Sequence, residues 1–231
     1  MAITTRARSR DEKRERRHEI LGATAALFLE TPYDRVTMAE VARRCGLAKG
    51  TLYLYFRTKE ELFLALAERD LELFFAEVNG RIGHTTPPGP EPHDPVAADV
   101  LGAEALATLL VDAALRRESF TRFLSMLHLI FEQNVGAKVA LAFKRFLLAH
   151  VLETGTLLDA ARPSLGEGGG ATLLLRTHAF LIGLTQMASP SKVVERVLRR
   201  PEMGVFVIDL RKELFESILA LIHHTNPRRN S

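Results

Sequence analysis

Only two residues, Leu47 and Ala48, separate a helical stripe that stops at Gly46 from the next helical run at Lys49. The stripe is Met38, Val41, Ala42 and Cys45. Apolar residues at i, i+3, i+4 and i+7 form one buried helix face. The stripe opens at Thr37, which with Glu40 has the capping-box pattern, hydroxyl and carboxylate each satisfying a free N–H of the first turn. Glycine closes it, because the left-handed conformation that ends a helix costs glycine little. Two short helices across so tight a turn make a helix-turn-helix. The third helix is brief, Lys49 to about Tyr55. A second capping box, Thr58 with Glu61, starts a fourth that runs to about Val78.

The rest of the chain also reads as helix. Ala, Leu, Glu and Arg dominate and no stretch alternates with period 2, so an all-α fold is expected. Residues 1–11 read as a mobile basic arm, followed by a first helix from about Glu12 to Glu30. The segment from Gly80 to Pro95, with five prolines and three glycines, reads as a non-helical loop. Further helices are expected over about Val96–Arg116, Ser119–Gln133, Ala137–Ala161, Ala171–Ala188 and Glu202–His224. A glycine-rich turn covers Pro163–Gly170, a short helix can follow Ser191, and the tail from Thr225 frays. This pattern divides into residues 1–60, a basic arm with the helix-turn-helix, and residues 61–231, a helical body.

Charge follows the same division. Residues 1–60 hold 13 Lys/Arg against 8 Asp/Glu, net +5, whereas residues 61–231 hold 18 against 20, net −2. A basic first quarter on a near-neutral body points to a polyanion at one end, with a solvated arm as the alternative. A single cysteine, Cys45, excludes disulfide frameworks and cysteine-rich zinc sites and makes a reducing cytoplasm the expected compartment. Cys45 itself reads as a small core residue. No apolar run reaches the roughly 18–20 residues of a membrane span, and Met1–Arg17 lacks the apolar stretch of a signal peptide. No G-x-S-x-G, H-E-x-x-H, pair of E-x-x-H motifs or P-loop pattern is present, which argues against an enzyme. No metal and no cofactor are expected.

In the third helix Leu52 and Phe56 point inward, while Lys49, Thr51, Tyr53 and Tyr55 crowd a cation, a hydroxyl and two phenols onto one short surface. Lys and Tyr reach phosphate oxygens, and Thr can touch a base edge or a thymine methyl. Gly50 removes a side chain where a backbone could come close. A helix of about 10–12 Å diameter fits a major groove about 12 Å wide. Lys59 sits in the first turn of the fourth helix, against the dipole, which a nearby phosphate would explain.

From about Arg14 to Leu66 the chain resembles the DNA-binding domain of the TetR family of transcriptional regulators. The likeness rests on Phe28, on Tyr33-Asp34-Arg35-Val36-Thr37-Met38, on Val41-Ala42, on Gly46 through Tyr53, on Tyr55-Phe56 and on Lys59-Glu60-Glu61-Leu62. It implies an all-helical homodimer that binds double-stranded DNA through an N-terminal three-helix reader. It also implies a C-terminal domain with a small-molecule pocket, whose ligand spreads the readers and releases the operator. By the same resemblance Thr37 and Tyr53 contact phosphate, Lys49, Gly50, Thr51 and Tyr55 face the groove, and Lys59 clamps the backbone. Arg44 and the arm residues Arg6, Arg8 and Arg10 are further candidates. Ala48 stands where family members often carry Ser or Thr, and Tyr55 where His is common.

The last predicted helix is apolar over well more than half its circumference, more than one core contact uses. The helix over Ala171–Ala188 looks similar. The resemblance places a four-helix dimer bundle on this pair, and the wide arc agrees. Phe180, Leu184, Val207, Leu210, Leu214, Ile218 and Leu221 are the expected interface, with Gly183 permitting close approach. Arg211, inside the arc, either pairs across the interface or lies at its rim. For the ligand, polar groups scattered among large apolar ones select Met126, His128, Phe131, Phe146, His150, His178 and Met187. No cluster of acids or arginines accompanies them, so a small hydrophobic effector is expected. These features together suggest a ligand-responsive repressor. The alternatives are an activator of the same build, a non-specific nucleoid-type DNA binder, and a helical enzyme.

Overall fold

The computed structural model describes residues 2–85 and 99–224, and among them it is helical throughout, with no strand. The helices are α1 (Ala2–Glu30), α2 (Met38–Arg44), α3 (Lys49–Tyr53), α4 (Lys59–Thr85), α5 (Ala103–Leu115), α6 (Glu118–Asn134), α7 (Ala137–Ala161), α8 (Gly169–Ala188), α9 (Lys192–Leu198) and α10 (Leu210–His224). Short 3-10 turns cover Tyr33–Arg35, Pro163–Leu165 and Pro201–Phe206.

The turn between α2 and α3 forms as its sequence dictates. Gly46 takes φ +64°. The Leu47 N–H reaches back to the Ala42 carbonyl at 2.8 Å and the Gly46 N–H to the Arg43 carbonyl at 3.2 Å, so two orphan carbonyls at the end of α2 are satisfied. A Cβ on Gly46 would meet nothing within 4 Å. A Gly46→Ala change therefore costs only its left-handed backbone, about 1–2 kcal/mol. Thermal unfolding should show that loss, with Gly46→Asn losing less. The capping boxes form only in part. Thr37 and Thr58 accept from the N–H groups of Glu40 (3.2 Å) and Glu61 (3.1 Å). The Glu40 carboxylate turns to Arg43, and that of Glu61 accepts from the N–H of Arg57, one residue before the cap.

Several boundaries differ from expectation. α1 begins at Ala2 and not after an arm ending near Asp11, because Arg, Glu and Lys here are good helix formers and no proline or glycine interrupts before Gly22. α4 continues through Gly80 and Gly83 to Thr85. Packing outweighs glycine's propensity cost there: Ile82 is buried and Thr154 of α7 donates to Asn79 at 2.7 Å. The expected loop beyond it, through Pro95, lies mostly outside the described residues. α5 starts at Ala103, since the N–H groups of Val100 and Leu101 bond the carbonyl of Ala161 instead of a helix. The long last helix breaks into a 3-10 turn and α10, which Asp209 opens by accepting from the Lys212 N–H at 3.1 Å. The short helix after Ser191 is present, with Ser191 as its cap.

One continuous core runs from Ile20 on α1 to Ile222 on α10. α4 is its axis, packing on α1 at one end and on α5, α6 and α7 along its length. Where α1, α4 and α6 meet, the rings of Phe28, Phe63 and Phe123 form a cluster with centroids 5.3–6.5 Å apart. Buried Asp70 on α4 accepts from the Ser119 hydroxyl of α6 at 3.1 Å and from Arg69.

Candidate nucleic-acid interface and effector cavity

Leu52 and Phe56 anchor α3 in the core, and this rotation turns the other side of the helix outward. Lys49 and Gly50 are exposed, Tyr53 is 41% exposed, and Thr51 is half-buried. Lys49 leans over the Tyr53 ring, its Nζ 5.9 Å from the centroid. Tyr55 is half-buried against the core, so only part of it is offered to a partner. Leu54, not singled out from the sequence, is 76% exposed on the same surface, a large apolar side chain at its rim. Ala48 caps α3 with no side-chain hydrogen bond, which leaves the first N–H groups of α3 facing outward.

Two of the expected DNA contacts have partners of their own. Arg44 forms a two-pronged ion pair with Glu30, tying α2 to the end of α1. The hydrogen bond from Arg44 lowers the Glu30 carboxyl below its ordinary range. Lys59 donates to the Tyr33 carbonyl at 2.9 Å, with Nζ 4.1 Å from the Tyr33 ring centroid. The ammonium that opposes the α4 dipole is thus compensated inside the protein, where it holds the loop leading into α2. Thr37 is exposed, but its hydroxyl already serves the α2 cap. The side chains of Arg6, Arg8 and Arg10 lie outside the described residues. Cys45 is half-buried and burial pushes its thiol pKa up, the opposite of a reactive thiolate.

Between α4, α5, α6, α7 and α8 lies a small apolar cavity of about 60 Å³, which a ligand of any length must enlarge by moving its walls. Phe74 and Phe75 of α4, Phe120 and Leu124 of α6, and Leu174 of α8 are in its wall, which among the described residues is apolar apart from Thr177 and His178. Among the described residues, His178 is the one expected ligand residue that lines it. Burial, then the nearby Lys144 charge, lowers the His178 pKa and favours the neutral imidazole. His150 is instead stacked on Phe75 at 5.2 Å and edge-on to Phe146 at 4.6 Å, which occupies both rings in packing behind the wall. Met126 packs against the core outside the lining, and Met187 is exposed near Phe206 and Val207. The side chains of His128 and Phe131 lie outside the described residues. The wall residues on α4 were missed because an apolar helix in sequence does not say which apolar residues border empty space.

The expected dimer residues also separate. Phe180 and Val207 are exposed and Leu184, Leu210 and Leu221 half-buried, so they present surface. Leu214 and Ile218 are fully buried in the protomer's own core and have none to offer. Arg211 pairs with Asp112 of α5 at 2.7 Å within the protomer, its side chain still largely exposed. On α8 the exposed positions Arg176, Ala179, Phe180, Gly183, Gln186 and Met187 share one face, and a Cβ at Gly183 would meet nothing within 4 Å. Among the described residues no His/Cys/Asp/Glu group could hold a metal ion, and no helix is long and apolar enough to cross a membrane.

A compact helix-turn-helix whose short outer helix shows a cation, hydroxyl and phenol, set on a helical body with an apolar cavity, defines a DNA-binding transcriptional regulator. Residues 20–66 match the bacterial regulatory proteins of the tetR family, and residues 68–225 match the tetracyclin repressor-like C-terminal domain. The chain belongs to the TetR family. It is 30% identical over 140 residues to the nucleoid occlusion factor SlmA of Mannheimia succiniciproducens, covering 60% of each chain. It is 42% identical over 64 residues to the transcriptional repressor KstR of Rhodococcus jostii, 28% of this chain and 30% of that one. With the transcriptional activator FasR of Mycolicibacterium smegmatis it shares 35% over 72 residues, 31% and 33% of the two chains. The chain thus spans less than two thirds of each of these relatives. A solved transcriptional regulator from a Rhodococcus species has the same fold, with TM-score 0.52 and 17% identity over 90% of this chain and 96% of that one.

Proposed function

We propose that the chain is a homodimeric repressor that binds a palindromic operator and is released by a small, largely apolar effector. Residues 1–60 act as the reader and residues 61–231 as the effector-binding and dimerising body. Lys49, Gly50 and Thr51 enter the major groove, with Tyr55 reaching it by its edge and Thr37, Tyr53 and Arg44 at the flanking phosphates. A second copy docks on α8 and α10 through Phe180, Leu184, Leu210 and Leu221. The protein binds and does not turn over, and its DNA partner places its work in the cytoplasm.

The observation that carries this reading is the shared wall. On α6, Phe120 and Leu124 line the cavity, while Arg122 and Phe123 between them touch the reader. Arg122 donates to the Leu29 carbonyl at 2.8 Å and lies over the Phe28 ring, and Phe123 joins the Phe28–Phe63 cluster. A ligand that displaces α6 or α4 by a fraction of a helix turn moves α1, because close-packed interfaces do not deform continuously. The two states then differ in the spacing of the paired readers, which a duplex with half-sites one turn apart resolves.

Fluorescence anisotropy against the promoter DNA flanking the gene tests the reading. A palindromic site should bind with nanomolar-range affinity that falls steeply with salt. Equal affinity for that site and a scrambled duplex would defeat it. A promoter fusion fixes the sign: output rises on deletion of the gene for a repressor and falls for an activator.

A further inference from the structure

Among the described residues, the cavity wall holds one buried polar atom that the fold leaves without a partner. Thr177 is 4% exposed, lines the cavity, and its Oγ1 makes no hydrogen bond. Thr185 of the same helix is orphaned too, but it lies outside the cavity, and other helical threonines do make a bond. Thr24, Thr156 and Thr172 each donate to the carbonyl four residues back, at 2.7–3.0 Å. The same bond is the default for a helical threonine, since one of its two common rotamers makes it. A buried hydroxyl that forgoes it carries an uncompensated desolvation cost and is set to exchange that cost for a bond to something else. His178, one residue on, also lines the cavity. Kept neutral, its imidazole offers one donor and one acceptor. Among the described residues no Lys, Arg, Asp or Glu lines this cavity, and Lys144, whose charge acts on His178, is exposed on α7.

We propose that Thr177, with His178 beside it, is the polar anchor of the cavity, and that the molecule bound there is an apolar chain carrying one neutral hydrogen-bonding group such as a hydroxyl, ketone or ester. This rests on reading the cavity as the effector site. A carboxylate head would lose its hydration against a wall whose described residues include no cation to replace it, so the carboxylate binds more weakly than the alcohol of equal length.

The probes are 1-decanol and sodium decanoate, titrated into the full-length protein at pH 8 by calorimetry and by thermal shift. Decanol should raise the melting temperature in proportion to its binding, and decanoate should bind at least about tenfold more weakly. Thr177→Val, which keeps the shape and deletes the hydroxyl, should bind decanol about tenfold more weakly, and Thr177→Ser should keep the affinity. Thr185→Val, which removes the other orphaned buried hydroxyl of α8, outside this cavity, should leave decanol affinity unchanged. Without ligand, Thr177→Val should melt about 2–4 °C higher than wild type, which also shows it folds. Decanol affinity unaltered by Thr177→Val, decanoate binding as tightly as decanol, or no decanol binding up to its solubility overturns the proposal. Binding is read without DNA. A Thr177-dependent decanol complex that leaves operator affinity untouched would defeat effector release and still support the anchor.

Discussion

A dimer carrying Lys49→Glu is expected to lose operator affinity by roughly 30-fold to ten-thousand-fold. The range follows from about 1–3 kcal/mol for a recognition-helix contact, entered twice because both readers change. The fold should survive. Lys49 is exposed, its one described contact is the distant face of the Tyr53 ring, and a carboxylate in the first turn of a helix is favoured by the dipole. Melting temperature should therefore stay within about a degree or rise slightly. The log–log salt dependence should also flatten, by about 0.9 for each phosphate contact removed. Lys192→Glu makes the same change of net charge at an exposed position of α9, outside the reader. If operator affinity depended only on the overall field, the two variants would lose it equally. If α3 is the reading surface, Lys192→Glu stays close to wild type, and the contrast is the result to look for.

The reader was legible because its determinants are local. The stop at Gly46, the caps at Thr37 and Thr58 and the inward pair Leu52 and Phe56 are fixed by residues within about four positions of one another, so spacing alone reveals them. The body was legible as helices and not as a site. Leu214 and Ile218 lie on the same apolar arc as Leu210 and Leu221, yet the first two are buried by α5 and α8 and the others reach the surface. Breadth of an arc does not say which side meets its own domain. The same holds for ligand residues. His150 and Met187 are as polar or as adaptable as His178, but ring stacking hides one and the rotation of α8 turns the other outward. Thr177 carried only a weak signal in sequence, one hydroxyl among several polar residues of α8. What decides its importance, the missing back-bond, exists only in three dimensions.

Gly170→Ala is expected to cost about 2–4 kcal/mol of folding free energy and to lower the melting temperature by roughly 5–15 °C, although alanine is the better helix former. The reason is the crossing of α7 and α8. A Cβ on Gly170 would fall on the carbonyl oxygen of Gly155 and lie 2.7 Å from the Leu158 Cβ, two atoms of α7 that are backbone or fixed next to it. A Cβ on Gly155 would in turn meet the Ala171 nitrogen at 2.8 Å, so the two glycines open the same contact from both sides. The approach also serves a cap. Asp159 of α7 accepts from the N–H groups of Gly168 at 2.9 Å and Gly170 at 2.6 Å, which satisfies the start of α8 where no side chain of its own does so. Pushing the helices apart strains that cap as well as the packing, and caps are worth about 0.5–2 kcal/mol. Gly22→Ala supplies the comparison. It is helical, exposed, and surrounded by open space, so the same substitution there should stabilise by about 0.5–1 kcal/mol. Opposite signs at Gly170 and Gly22 identify close approach as the cause. A neutral or stabilising Gly170→Ala would mean that α7 and α8 do not cross at backbone contact, and the cavity they wall would then have a different shape.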